Sequence, residues 1–369
     1  LPHPPTAEIL RLVSTGEASS RTDLARLLGL ARSTVSLRVQ ELIDAGLLTE
    51  TGEGPSRGGR RPRVLRPAGG GYVIGADIGA RHVRLAAYDL SGERLHIGES
   101  EIDVSQGPEP CLTDLITAIS GIKDTLGQQF LGLGVGLPGP VNFPDGRVER
   151  PARMPGWHGF EARDWLAEHL EVPVAVDNDA NVVALGEFHT RNRGPEHLVV
   201  VKAGTGVGCG VIAAGAVHRG ANGVSGDVSH VRVQAAGDMP CACGNTGCLE
   251  TIASGAALVK SLGAKDTAHL VELANNAEPQ ATAAVRRAGG HLGEVLSTVV
   301  NFFNPHAVLL TGRLASIEPF VAAVRGALYE RCLPMATQNL EVAVAQAGAD
   351  AGPLGAGMLA LQQVHRRKD

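Results

Sequence analysis

Aromatic side chains are scarce here: Phe, Trp and Tyr make up 3% of 369 residues. The core must therefore rest on Val, Leu, Ile and Ala, and 48 glycines with 44% hydrophobic content suit a loop-rich α/β globule. Long apolar runs are also missing. The nearest candidate, residues 206–217, is short and glycine-broken, whereas a spanning helix needs ~20 apolar residues. The opening LPHPPTAEIL lacks the basic start and apolar stretch of a secretory signal, so a cytoplasmic address with no membrane partner is expected. Cysteines number six, with Cys111, Cys209 and Cys332 scattered, which excludes a disulfide framework. The length exceeds one ordinary core and implies two or three domains.

Charge is unevenly placed. Residues 1–66 carry 10 arginines and no lysine against 7 acidic residues, a balance of +3, which leaves −8 of the net −5 to the remainder. A small basic end on an acidic body points to nucleic acid at that end only.

Residues 6–46 read as three helices. TAEILRLVSTG closes on a glycine, SRTDLARLLG opens on Ser20 with Asp23 three residues on, and ARSTVSLRVQELIDAG places Val35, Val39, Leu42 and Ile43 on one face. Ala31 stands where a capping Ser or Thr is expected. Two short helices around a glycine turn make a helix-turn-helix, whose second helix fits a major groove of double-stranded DNA. Arg32, Ser33, Thr34, Ser36 and Arg38 are its candidate DNA-facing residues. Residues 47–67 follow, with five arginines and no acid from Ser56 onward. They read either as a charged linker or as the wing of a winged helix, with Arg57, Arg60, Arg61 and Arg63 on the DNA backbone or minor groove.

From Tyr72 strands alternate with helices. Strands over 72–79, 131–136 and 173–177, a strand with its turn over 83–93, and helices over 111–128 and 160–170 form one series. A second begins with LVVVKAGTGVGCGVI at 198–212 and continues through helix 281–302, strand 307–311, helix 315–330, strand 341–345 and helix 351–364. Two such units imply two lobes with a cleft between them. The expected division is a winged helix-turn-helix at 1–67, a first α/β lobe at 72–178 plus 350–369, and a second at 179–349 carrying a metal site.

That site is the segment HVRVQAAGDMPCACGNTGCLE. His230, Cys241, Cys243 and Cys248 supply one imidazole and three thiolates, a complete tetrahedral set for Zn2+ with no position left for a reactive water. Gly244 and Gly247 let the chain bend between them. Three buried free cysteines or a redox dithiol are the alternatives; the loop lacks a C-x-x-C.

GCLE after CACG, with an acid and a histidine upstream in GDVSH, resembles the zinc signature of the ROK family of repressors, open reading frames and kinases. IGADIGARHVRLAAYD resembles its first phosphate loop, GVGLPGPVN its Pro-Gly sugar-site segment, and PGW, VDNDANVVALGE and GTGVGCGVI further blocks. An amino-terminal winged helix ending in a Gly-Arg-Arg-Pro run is the arrangement of the family's repressor branch. The resemblance covers nearly the whole chain. It implies an α/β, two-lobed actin-like and hexokinase-like (ribonuclease H-like) fold that recognises a hexose or related sugar.

A sugar site needs carboxylates, amides and imidazoles converging from several elements. The resemblance assigns Asn178 to the ring, Asp179 to the hydroxyl that a kinase would deprotonate, and Gly139, Asp227, His230 and Glu250 to the same pocket. Alone, Asn178 and Asp179 also read as a helix cap, and Glu250 as a surface acid. Asp227 stands where the family usually has Glu, and Ser229 where it has Gly. The nucleotide side departs further. The family kinases' Asp-x-Gly-Gly-Thr-Lys is here Asp77, Ile78, Gly79, Ala80, Arg81 and His82; its paired glycine is here Thr311, Gly312 and Arg313. Gly204, Thr205 and Gly206 remain, and glycine-rich turns alone carry little specificity. The expectation is a sugar-responsive repressor with a vestigial nucleotide site, no catalysis, structural Zn2+, operator DNA and a sugar effector as partners, and assembly as homodimer or homotetramer. The rivals are an ATP-dependent sugar kinase fused to a DNA-binding end, and a DNA-binding protein whose cleft is a mere scaffold.

Overall fold

A computed structural model describes residues 5–14, 16–44, 46–53, 63–68, 70–191 and 194–366. Helices α1 (Pro5–Ser14), α2 (Arg21–Leu28) and α3 (Arg32–Asp44) lead into the antiparallel hairpin β1 (Leu48–Glu53) and β2 (Arg63–Pro67). The local signals act as expected. Ser20 accepts from the Asp23 N–H at 3.1 Å, and Gly29 closes α2 with φ of 64°. Only Gly, of the ordinary residues, takes that conformation without a Cβ penalty. Ile9, Leu10, Leu24, Val35 and Val39 are fully buried between the three helices. The hairpin has the form of a wing; its tip, with Arg57, Arg60 and Arg61, lies outside the described residues.

The first sheet comprises β3 (Gly71–Ile78), β4 (His82–Asp89), β5 (Arg94–Glu101), then, after α4 (Pro108–Leu126), β6 (Gln129–Leu137). A ribbon of β7 (Val141–Asn142) and β8 (Arg147–Val148), helix α5 (Ala162–Leu170) and strand β9 (Val174–Asn178) complete it. Helix α6 (Asp179–Thr190) leads to the second sheet: β10 (Leu198–Ala203), β11 (Val207–Ala213) and β12 (Ala216–Val217). Helices α7 (Glu250–Ala253), α8 (Gly255–Leu262), α9 (Thr267–Asn275) and α10 (Pro279–Phe303) precede β13 (Ala307–Thr311). Helices α11 (Glu318–Arg331) and α12 (Pro334–Thr337), strand β14 (Glu341–Val344) and helix α13 (Ala351–Arg366) end the chain.

Both sheets have the same plan. The first is ordered β5-β4-β3-β6-β9 and the second β12-β11-β10-β13-β14. In each, three antiparallel strands continue into two parallel ones reached through helices. Helices α6 and α13 cross between the sheets, α13 against β3, β6 and β9 and α6 against β10 and β11. Their approach depends on missing side chains: a Cβ at Gly134 would strike the Ala356 carbonyl, and one at Gly355 that of Val182. Glu187, fully buried in α6, accepts the N–H groups of Gln346 and Ala347 at 3.0 and 2.7 Å. A buried carboxylate satisfied in this way ties β14 to the crossing.

Candidate sugar cleft and metal centre

Strand ends from both sheets open onto one cavity of about 850 Å³. Asp77 lies near the end of β3, Asn178 closes β9, Lys202 lies near the end of β10, and Gly204, Thr205 and Gly206 turn into β11. Asn178 is the N-cap of α6: its Oδ1 accepts from the Ala180 N–H at 2.9 Å, and its Nδ2 donates to the Gly139 carbonyl at 3.0 Å. Capping and cavity lining are thus one arrangement, and Asp179 follows in the first turn, where the helix dipole favours its negative charge.

At one end of the cavity lie Asp227, Ser229, His230 and Glu250. Glu250 is buried, accepts from the Val207 N–H at 3.0 Å, and pairs with Arg153 at 2.7 Å. Burial lifts its carboxyl above the ordinary value, against the pull of Arg153 and Val207. Ser229 donates its hydroxyl to Asp227 at 2.8 Å, so the two departures from the family pattern are in contact. Arg153 arrives on a loop anchored by Trp157, fully buried with its indole N–H on the Val104 carbonyl at 2.9 Å.

The metal-ligating candidates meet behind this end. Nδ1 of His230 lies 3.6 Å from Sγ of Cys241, the Cys243 and Cys248 sulfurs lie 3.7 Å apart, and all four donor atoms fall within 4.8 Å of one another. Around zinc with Zn–S bonds of ~2.3 Å, a tetrahedron's edge measures ~3.8 Å, so the donor set fits. Gly244 and Gly247 take φ of 92° and 76°, the bends that the loop requires. Backbone bonds from Leu249 N–H to Val231 and from Glu250 N–H to Ser229 carry the loop's position to the acid.

The other end is differently built. Nζ of Lys202 lies 3.0 Å from Asp179 Oδ2 and 3.3 Å from Asp77 Oδ2. Burial alone would lower the lysine's pKa, but the two carboxylates outweigh it and hold the pKa above the ordinary value. Burial raises that of Asp77, and Asp179 adds to the rise. Gly79, Gly312 and Arg313 also line the cavity. Arg81 is exposed and is not among the lining residues, where His82 and Arg84 stand instead.

In the amino-terminal unit Arg32 and Ser33 are exposed, and Thr34 and Ser36 are half-buried. The Ser36 carbonyl accepts from Arg21 at 2.9 Å; Arg38 pairs with Glu41 at 3.0 Å and Arg63 with Glu50 at 3.2 Å. Lys202 and Arg153, which line the cavity, and Arg219, which pairs with buried Asp177, escaped the sequence reading. Lys202 did leave a signal, as the one charge in the strand LVVVKA. Arg153 left none, and neither did Arg219, which pairs with buried Asp177 at 2.7 Å and lies 3.6 Å over the Phe143 ring.

Comparison with known proteins adds to this geometry. The profile of the ROK family matches residues 73–363, and that of a helix-turn-helix domain residues 2–51. The xylose repressor of Bacillus spizizenii is 30% identical over 366 residues, covering 96% of this chain and 94% of its own. Among solved structures, a ROK family transcriptional regulator described as a homologue of the E. coli MLC protein superposes with a TM-score of 0.82 at 24% identity. That match covers 98% of this chain and 96% of the regulator. A ROK family glucokinase from Streptomyces griseus, in complex with glucose and AMPPNP, has a TM-score of 0.70 at 26% identity. It covers 79% of this chain and 99% of its own. Among the described residues no helix is long and apolar enough to cross a membrane.

Proposed function

This chain belongs to the ROK family, and on that premise we propose that it is a sugar-responsive, DNA-binding transcriptional repressor and not a working sugar kinase. The observation that carries the reading is the asymmetry of the cavity. Its acid-and-imidazole end is assembled on buried, hydrogen-bonded supports, while the expected phosphate-binding end keeps Gly79, Gly204, Gly206 and Gly312 but adds His82, Arg84 and Arg313 to the lining. The similarity to a xylose repressor along nearly the full chain, amino-terminal unit included, supports the same assignment.

Asn178, Asp179, Asp227, His230 and Glu250, with the backbone at Gly139, are the proposed contacts for a sugar's hydroxyls. Carboxylates accept and the imidazole donates, an inventory that matches alternating hydroxyls. His230, Cys241, Cys243 and Cys248 would hold zinc as a closed structural ion. With Nδ1 of His230 turned to the sulfurs, Nε2 is the nitrogen left for the ligand. Arg153 reaches Glu250 and the Thr205 carbonyl from the other sheet's side, so a sugar that takes over Glu250 changes a contact between the lobes. Arg32, Ser33, Thr34, Ser36 and Arg38, with the wing arginines Arg57, Arg60, Arg61 and Arg63, are the proposed operator contacts. The working division remains 1–67 for DNA, 72–178 plus 350–369 and 179–349 for the lobes, in a homodimer or homotetramer that sets half-site spacing.

A sugar shifts this equilibrium only through unequal affinity for two lobe arrangements. Fluorescence anisotropy on a duplex selected from a randomised library, read across a monosaccharide panel, tests it. One sugar is expected to change the affinity; unchanged affinity with a sugar that calorimetry shows to be bound removes the switch. A coupled ADP-release assay on the same panel showing turnover abolished in Asp179→Asn would establish the kinase instead.

A further inference from the structure

Within the strand LVVVKA, Lys202 is flanked by residues that are fully buried, yet its own ammonium is delivered to the floor of the cleft. There it meets two carboxylates from different parts of the fold. Asp77 lies one residue before the end of β3 in the first sheet, Asp179 begins the crossing helix α6, and Lys202 comes from β10 of the second sheet. The three groups lie within direct ion-pair reach, at 3.0 and 3.3 Å. Asp77 cannot turn aside: the α13 backbone at Gly352 packs so closely that a Cβ there would collide with its carboxylate. Its second oxygen, Oδ1, is buried with no hydrogen-bond partner among the described residues. A fixed acid with an unspent lone pair, facing a second acid, is the arrangement that attracts a hard cation with oxygen ligands. In this chain the cation is a side chain.

We propose that Lys202 is a resident cation which occupies the position between Asp77 and Asp179 and thereby makes the cleft refuse a divalent metal, leaving it to uncharged polyhydroxy ligands. An ammonium donates hydrogens and accepts none, so it can satisfy both carboxylates but cannot join a metal's ligand shell. Its positive charge also opposes a second cation at contact distance. The pairing of Asp179 has a further effect: a carboxylate engaged by lysine remains an ionised acceptor for a sugar hydroxyl but is a poor proton acceptor. A magnesium-nucleotide complex of the kind that family kinases use therefore does not fit the residues present here, and Lys202, more than Arg81, is what excludes it.

The proposal rests on the cleft reading above, but its test needs neither sugar nor DNA. Zinc-loaded full-length protein is titrated with Mn2+ and the free ion is followed by electron paramagnetic resonance. For Lys202→Met we expect the Mn2+ affinity to rise by ~30-fold or more over the wild type, the fully screened limit for one positive charge beside a divalent ion. The gain should vanish in Lys202→Met/Asp179→Asn. A folded Lys202→Met protein that gains no Mn2+ site overturns the proposal. Should that variant not fold, the unsubstituted chain decides: tight Mn2+ binding that Asp179→Asn abolishes overturns it, and its absence supports it. A loss of sugar response with the metal result intact would strike only the repressor reading.

Discussion

The two ends of the cleft use buried charge in opposite ways. Near the cysteine loop, Glu250 is supported by backbone N–H and one arginine, and a cluster of four metal-ligating groups stands behind it. Near the phosphate loop, two carboxylates converge on one lysine, and the surrounding loop residues Ala80, Arg81, His82, Gly312 and Arg313 are exposed. At the first end Glu250 is fixed by one backbone N–H and by Arg153, which itself lines the cavity. At the second, both acids pair with a lysine that itself lines the cavity, at 3.3 and 3.0 Å. A site persists as a binding site where second contacts hold its groups in place without consuming them.

Breaking the candidate metal cluster should have the largest effect. Cys248→Ser breaks the tetrahedral set at its buried member; zinc content by elemental analysis should fall to background, and sugar affinity by calorimetry should fall ~100-fold. Mn2+ exclusion at the Lys202 end should be unaffected, because no bond of the cysteine loop reaches it. Glu250→Gln is the next largest. It keeps an acceptor for Val207 but removes the charge that Arg153 balances, and should weaken sugar binding by ~1.5–3 kcal/mol with zinc retained. Equal affinity in wild type and variant would remove Glu250 from the pocket.

The smallest effect concerns the opposite rim, where Arg84 and Arg94 both hold Asp350 at 2.8 and 2.7 Å. Burial raises the Asp350 pKa, but the two guanidinium groups pull harder and leave it below the ordinary carboxylate value. Its contribution is therefore present above that ordinary value and is lost as pH falls through the lower folded one. About a third of the side chain is exposed, so solvent screening limits the pair. Asp350→Asn should cost under ~1 kcal/mol at neutral pH. Chemical denaturation of the two proteins should converge in acid, while a difference that grows in acid would contradict the sign.

Much of the architecture was legible because its signals are local. Strand 307–311 is a short apolar run between turn residues and appears with those bounds. Ser20 and Gly29 bracket α2 through hydrogen bonds and φ values that depend on immediate neighbours. Elements with weaker local signals went unassigned. The edge strand β5 is exposed or half-buried throughout, and helices α7 to α9, over 250–275, are short, at four, eight and nine residues. At the site, the three cysteines were legible from spacing, since residues crowded within eight positions cannot lie far apart. Arg81 illustrates the reverse: it stands inside the motif that resembles a phosphate loop, yet it is exposed and lies outside the cavity lining.

Chemical inventory and chain order were enough to point to the candidate donor set at the cysteine loop and to give the helix caps and the alternation of strands and helices, because each depends mostly on nearby residues. Which acids stay open and which are neutralised emerged only when the chain closed on itself. Lys202 meets Asp77 across 125 positions, and Arg153 meets Glu250 across nearly a hundred. Electrostatic energy depends on distance in space and on depth from water, and neither is written in the order of the residues.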